Sequence, residues 1–141
     1  MSPLSESQLQ SLIAAAREAQ SAAHAPYSKF HVGAALLTED GAVVTGCNVE
    51  NASYGLTICA ERNAIGRLVV ERRKRPVVCV VVGPTAGPLT PCGACRQVLN
   101  EFNPDMSVIC VGGDGSRATL KASELLPYSF GSKDLDAAAG R

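Results

Sequence analysis

The sequence predicts an α/β protein, a three-layer α-β-α sandwich around a mixed five-stranded sheet. Three observations carry that expectation. Stretches with apolar residues at helical spacing alternate with short β-branched runs, in the order α-β-β-α-β-α-β-β. The first β-like run is apolar on both parities, with Phe30, Val32 and Leu36 against Ala35 and Leu37, so both faces of the sheet should be covered. A chain of 141 residues builds one core and not two, so a single domain over residues 1–141 is expected.

The first helix opens at Ser5, which with Gln8 three places later forms a capping box. Leu9, Leu12, Ile13, Ala16 and Ala19 follow at helical spacing, and Pro26 forces an end near Ala23. Residues 30–38 read as a strand, Glu39-Asp40-Gly41 as a hairpin turn and residues 42–47 as the partner strand. A second helix is expected over residues 59–73, despite Gly66. Its basic end, Glu71-Arg72-Arg73-Lys74-Arg75, resembles a nucleic-acid patch. Cations that complement a helix C-terminus before the stop at Pro76 explain it better. Residues 77–83 form an apolar central strand, and a third helix runs over residues 92–102 to Asn103-Pro104. Residues 107–111 and 117–120, joined through Gly113-Asp114-Gly115, make the last hairpin. A short helical turn near residues 123–126 precedes a tail that should be loose from Asp134.

Composition narrows the function. Thirteen basic residues balance thirteen acidic ones, so no overall field draws a nucleic-acid backbone or an anionic membrane. The N-terminal residues lack the basic start and apolar stretch of a signal peptide, and no run is long enough to span a bilayer. A cytoplasmic protein is expected. In a reducing cytosol its six cysteines serve metal binding, catalysis or burial rather than a disulfide framework.

Two segments concentrate chemistry: Thr57-Ile58-Cys59-Ala60-Glu61-Arg62 and Thr90-Pro91-Cys92-Gly93-Ala94-Cys95-Arg96. Each places cysteine at a predicted helix start, where the positive end of the helix favours thiolate, the form that binds metal. Cys92 and Cys95, at i and i+3, present both sulfurs to one side. Cys59 completes a set of three if the two helices begin side by side. Three protein ligands are the pattern of a catalytic zinc that leaves a position for water. Alone, the Cys92/Cys95 pair fits equally a redox pair or half of a structural four-ligand site. Glu61 shifts the balance. At i+2 from Cys59 it diverges by roughly 200° around the helix, so it stays near the metal without joining it, as a general acid–base must.

The pattern Cys59-Ala60-Glu61 with Pro91-Cys92-Gly93-Ala94-Cys95 matches the signature of zinc nucleobase deaminases. The blocks APYSKFHVGAALLTEDG, GCNVENASYGLTICAERNAI, PCGACRQVLNEF and LLPYSFG extend the likeness over nearly all of residues 25–135. There the chain resembles the small, homotetrameric cytidine deaminases of nucleoside salvage. The resemblance implies a cytidine deaminase-like fold and conversion of cytidine and deoxycytidine to the uridines, with release of ammonia. It implies Zn²⁺ on Cys59, Cys92 and Cys95, zinc-bound hydroxide attacking C4 of cytosine, and Glu61 shuttling protons. Three thiolates acidify water less well than nitrogen ligands, so a cation should balance them. Arg62 is favoured and Arg96 is second. Gly93 would permit close backbone approach near the metal.

The family positions place Phe30 against the base and Asn48 with Glu50 at the sugar hydroxyl, two apart and on one side of an extended segment. Ala52, Tyr54 and Phe130 resemble residues that complete a neighbouring subunit's pocket, implying a homo-oligomer, a tetramer with shared active sites. Glu50 at the sugar would repel a 5′-phosphate or a polynucleotide strand if it lies near that end, which favours a free nucleoside over nucleotide or RNA. His24 and His31 lack ligand spacing, Cys79 and Cys110 lie inside expected strands, and Cys47 suits packing; none is expected to be catalytic. Three rivals follow. A blasticidin-S-type deaminase shares the zinc core, but the Asn48-Val49-Glu50-Asn51 run fits ordinary cytidine better. A polynucleotide deaminase would want a basic, aromatic-rich groove. A non-enzymatic zinc module would want a fourth protein ligand and has no need of Glu61.

Overall fold

The computed structural model describes residues 4–141; residues 1–3, expected within the single domain, lie outside the described residues. Helix α1 (Glu6–Ser21) opens on the expected capping box. Gln8 N donates to Ser5 Oγ at 3.1 Å, and Ser5 N donates to Gln8 Oε1 at 2.8 Å. Strands β1 (Gly33–Thr38) and β2 (Val43–Cys47) form a hairpin whose turn uses Gly41 at φ 89°, in the left-handed region. A single 3₁₀ turn at Tyr54–Leu56 leads to α2 (Ala60–Val70). Then come β3 (Pro76–Val82), α3 (Gly93–Phe102), β4 (Ser107–Val111), β5 (Arg117–Lys121) and α4 (Ser132–Ala139).

The sheet has five strands in the order β2-β1-β3-β4-β5, and it is mixed. β3 and β4 run parallel, joined by the α3 crossover, and the other neighbours are antiparallel. Its two faces bury separate cores. On one, Leu12 and Ala16 of α1 meet Ala35, Val78, Val80, Val82 and Ile109. On the other, Ala60, Ala64, Ile65 and Leu68 of α2 and Leu99 of α3 pack on Ala34, Leu36, Val44, Val81 and Val108. Hence β1 and β3 are buried along nearly their whole length.

Two glycines set how closely the helices lie. A Cβ at Gly33 would sit 2.0 Å from the Ala16 carbonyl oxygen of α1, and one at Gly46 would sit 2.5 Å from Ala60 O and Ala64 N of α2. Backbone atoms cannot swing aside, so only glycine lets β2 support the first turn of α2. Asn63 Nδ2 adds a hydrogen bond to Cys47 O at 2.9 Å. These contacts aim the α2 N-terminus.

Three expectations differ from the structure. Helix α2 stops at Val70 rather than continuing to 73, because Arg72 turns left-handed at φ 56° and Arg73 N bonds back to Leu68 O. The basic run therefore lies beyond the helix, with Arg73 on Glu71 and Arg75 Nη2 on Asn103 Oδ1. The first strand begins at Gly33; residues 30–32 are extended but unpaired in the sheet. The tail expected to be loose from Asp134 lies in α4, capped where Gly131 N donates to Asp134 Oδ2, although α4 buries no residue.

Candidate active site

Cys59 is the N-cap of α2 and Cys92 the N-cap of α3; neither makes a capping hydrogen bond with its side chain. Both helices therefore begin at the same point, and Cys95, in the first turn of α3, reaches it as well. The three sulfurs lie within 4.8 Å of one another, with Cys59 Sγ to Cys92 Sγ and Cys92 Sγ to Cys95 Sγ both 3.6 Å. Zinc–thiolate bonds of about 2.3 Å at tetrahedral angles put sulfurs about 3.8 Å apart. The cluster fits zinc in spacing and in donor type. Among the described residues no fourth histidine, cysteine, aspartate or glutamate joins it.

Glu61, second residue of α2, is buried at 4% exposure. Burial pushes its carboxyl up to about 7; the charge on Cys59 adds to the rise, while its own backbone amide and Cys95 oppose it by hydrogen bonding. A hydrogen bond with Cys95 holds the Cys59 thiol down to about 5, against the cost of burial and with help from Arg62. That shared bond pushes Cys95 upward.

The geometry separates the two arginines. Arg62 Nη2 lies 3.7 Å from Cys59 Sγ and 3.5 Å from Thr57 O, and its buried Nε has no hydrogen-bond partner. Arg96 is spent elsewhere: Nε donates to Pro91 O at 2.7 Å, Nη1 to Leu125 O at 3.2 Å and Nη2 to Thr90 Oγ1 at 3.3 Å. It braces the loop entering α3. A Cβ at Gly93 would meet no atom of the chain within 4 Å.

A cavity of about 340 Å³ opens over Cys59, Glu61 and Cys92. Phe30, Asn48 and Glu50 line it, as do Ser28, Val32, Thr57, Ala60, Leu89 and Thr90, which the sequence analysis did not single out. A signal for Val32 was present, since it is two residues from Phe30 and in phase with it. None was present for Ser28, which lies in a turn before the left-handed Lys29. Asn48 is held from both sides, its Nδ2 donating to Phe30 O at 2.8 Å and its Oδ1 accepting from Val32 N at 2.9 Å. Glu50 Oε1 accepts from Tyr27 N at 3.0 Å and Ser28 N at 3.1 Å, and Oε2 accepts from Ser28 Oγ. The Ser28 hydroxyl and these amides hold the Glu50 carboxyl below the usual range.

Ala52, Tyr54 and Phe130 are not brought to this cavity. Ala52 is exposed, Tyr54 is 75% exposed with its ring centroid 6.0 Å from that of Tyr27, and Phe130 is 60% exposed beside α3. His24 and His31 stand outside the sulfur cluster, and Cys79 and Cys110 are buried in β3 and β4. A larger groove of about 620 Å³ between α1 and the β1–β2 hairpin has Glu39 as its one ionisable lining residue, and lies away from the sulfurs.

The model of the cytidine and deoxycytidylate deaminase zinc-binding region matches residues 6–111. A cytidine deaminase of Halalkalibacterium halodurans is 47% identical over 128 residues, covering 90% of this chain and 97% of that protein. One from Sporosarcina psychrophila is 45% identical over 132 residues, covering 93% and 97%. The crystal structure of cytidine deaminase from Burkholderia pseudomallei superposes with a TM-score of 0.84 at 45% identity, covering 90% of this chain and all (100%) of that one.

Proposed function

The chain belongs to the cytidine and deoxycytidylate deaminase family, and we propose that within it this protein works on free nucleosides, converting cytidine and deoxycytidine to uridine and deoxyuridine. It is a zinc-dependent hydrolase: water adds at C4 of cytosine, the exocyclic C4–N bond breaks and ammonia leaves. One observation carries the assignment of roles. A buried carboxyl, Glu61, shares a cavity with a three-sulfur cluster that fits zinc.

When bound, zinc supplies Lewis-acid chemistry that makes a water in the site acidic enough to attack at neutral pH. Cys59, Cys92 and Cys95 hold it. Glu61 takes the proton from the attacking water and gives it to N3 of the ring; it then takes the proton of the new C4 hydroxyl and passes it to the amine, so that ammonia leaves as the C4 carbonyl forms. Burial that raises its carboxyl toward neutrality suits a group that must both accept and return a proton. Arg62, at 3.7 Å from Cys59 Sγ, offsets part of the charge of three thiolates, and Arg96 braces the loop that carries Cys92. Phe30 packs on the base. Asn48 locks the segment from Phe30 to Val32 while facing the sugar with Glu50.

Nucleoside is favoured over nucleotide because the cavity lining contains two carboxylates, Glu50 and Glu61, and no lysine or arginine. A 5′-phosphate entering it would meet like charge without compensation. Cytidine should therefore exceed cytidine 5′-monophosphate in kcat/KM by about a hundredfold or more, measured by the fall in ultraviolet absorbance on deamination. Equal rates on the two would overturn the nucleoside reading in favour of a nucleotide deaminase.

Exposed Tyr54 and Phe130, with Leu56 at 64% exposure, support the reading that these side chains complete sites in neighbouring copies of a tetramer. Sedimentation equilibrium should give a mass four times that of the 14.6 kDa chain; a monomer active at assay concentration would contradict it. Six free cysteines support a reducing, cytoplasmic setting, and among the described residues no helix is long and apolar enough to cross a membrane.

A further inference from the structure

Part of the cavity wall is a turn, and one hydroxyl ties it together. Ser28 Oγ donates to Glu50 Oε2 and accepts from Phe30 N at 3.0 Å. Between Ser28 and Phe30 the backbone of Lys29 is left-handed at φ 60°, a conformation that a residue with a Cβ adopts only when its surroundings enforce it. The enforcement is visible: Lys29 N bonds to Ala25 O at 3.1 Å, and the Glu50 carboxylate grips the turn through Tyr27 N, Ser28 N and Ser28 Oγ. A carboxylate offers about four acceptor sites. Three are filled by the turn, two on Oε1 and one on Oε2, which leaves a single site on Oε2 beside Ser28.

We propose that Ser28 is a positioning residue for the reaction. Its hydroxyl links Glu50 to the backbone of Phe30, so that the group facing the sugar and the ring facing the base are held as one unit, with one lone pair of Glu50 left for a sugar hydroxyl. This rests on the reading above that Glu50 meets the sugar. Ser28 acts through Glu50 and Phe30 and takes no part in proton transfer. Its removal should therefore weaken substrate binding and leave the chemical step intact.

The position is exposed, so substitution there does not disturb the core, and the chain should fold with either alanine or threonine. Steady-state kinetics of Ser28→Ala, Ser28→Thr and Glu50→Gln test the proposal on cytidine and on 2′,3′-dideoxycytidine, which lacks the 2′ and 3′ hydroxyls and keeps the one at 5′. Ser28→Ala should raise KM for cytidine about tenfold with kcat within about twofold of wild type, the loss expected for one charge-assisted hydrogen bond that orders the site. Ser28→Thr, which keeps the hydroxyl, should restore KM to within about twofold. On the dideoxynucleoside, Ser28→Ala should raise KM much less. If Glu50→Gln raises KM for cytidine and Ser28→Ala does not, the positioning role is overturned while the sugar role of Glu50 stands. An equal effect of Ser28→Ala on both substrates, or a loss confined to kcat, also overturns it. If Glu50→Gln leaves KM unchanged, the sugar role of Glu50 fails and the Ser28 proposal falls with it.

Discussion

Glu61→Ala should lose about four orders of magnitude in kcat on cytidine, the upper end of what a single general acid–base contributes, because two proton transfers depend on the same carboxyl. The substitution should leave bound zinc in place, since the metal rests on sulfur alone. It should not unfold the chain either. Glu61 is 4% exposed in the first turn of α2, where a carboxylate gains a little from the helix dipole and loses more by desolvation. Removing it trades one modest effect for the other, so the melting temperature should change little. Glu61→Gln, which keeps the volume and one hydrogen-bonding oxygen, should be nearly as inactive. Residual activity within tenfold of wild type would refute the proton role, and parallel loss of zinc would make Glu61 a ligand instead.

Cys92→Ala is the second large effect, through a different route. Cys92 is exposed and makes no capping hydrogen bond, so its side chain contributes little to packing. Its sulfur, however, stands 3.6 Å from both other members of the cluster and completes the set of three. Two thiolates on separate helices cannot hold zinc as three do, and even changes to groups around ligands weaken metal sites about 10–100-fold. The variant should lose zinc on dialysis and lose activity with it, by at least about a hundredfold. Melting temperature should fall as well, because zinc bound by the folded state and not by the unfolded one stabilises folding. Full activity with undiminished zinc would remove Cys92 from the ligand set.

Much of this arrangement was legible in the residues. The capping box at Ser5 and Gln8 fixed the start of α1 because both partners are local. The mixed sheet followed from the order of the elements, and its helices on both faces from β1 being apolar on both parities. The spacing of Cys59, Glu61, Cys92 and Cys95 located the cluster because helix starts are short-range features.

What was missed depends on tertiary geometry. The end of α2 is set by Arg72 turning left-handed, and arginine carries no signal for that conformation. Choosing between Arg62 and Arg96 required knowing that Pro91, Thr90 and Leu125 would occupy the second guanidinium. Ser28 was overlooked because its partner, Glu50, lies 22 residues away and is met only when the segment after β2 pairs with His24, ahead of β1.

The claim on which the rest depends is a zinc ion held by three sulfurs, with a coordination position free and Glu61 beside it. Zinc K-edge X-ray absorption on the fully active protein tests it most directly. The expected spectrum shows three sulfur neighbours at about 2.3 Å and a fourth, lighter one. Four sulfur neighbours, a side-chain nitrogen filling the fourth position, or full activity in protein that contains no zinc would contradict it.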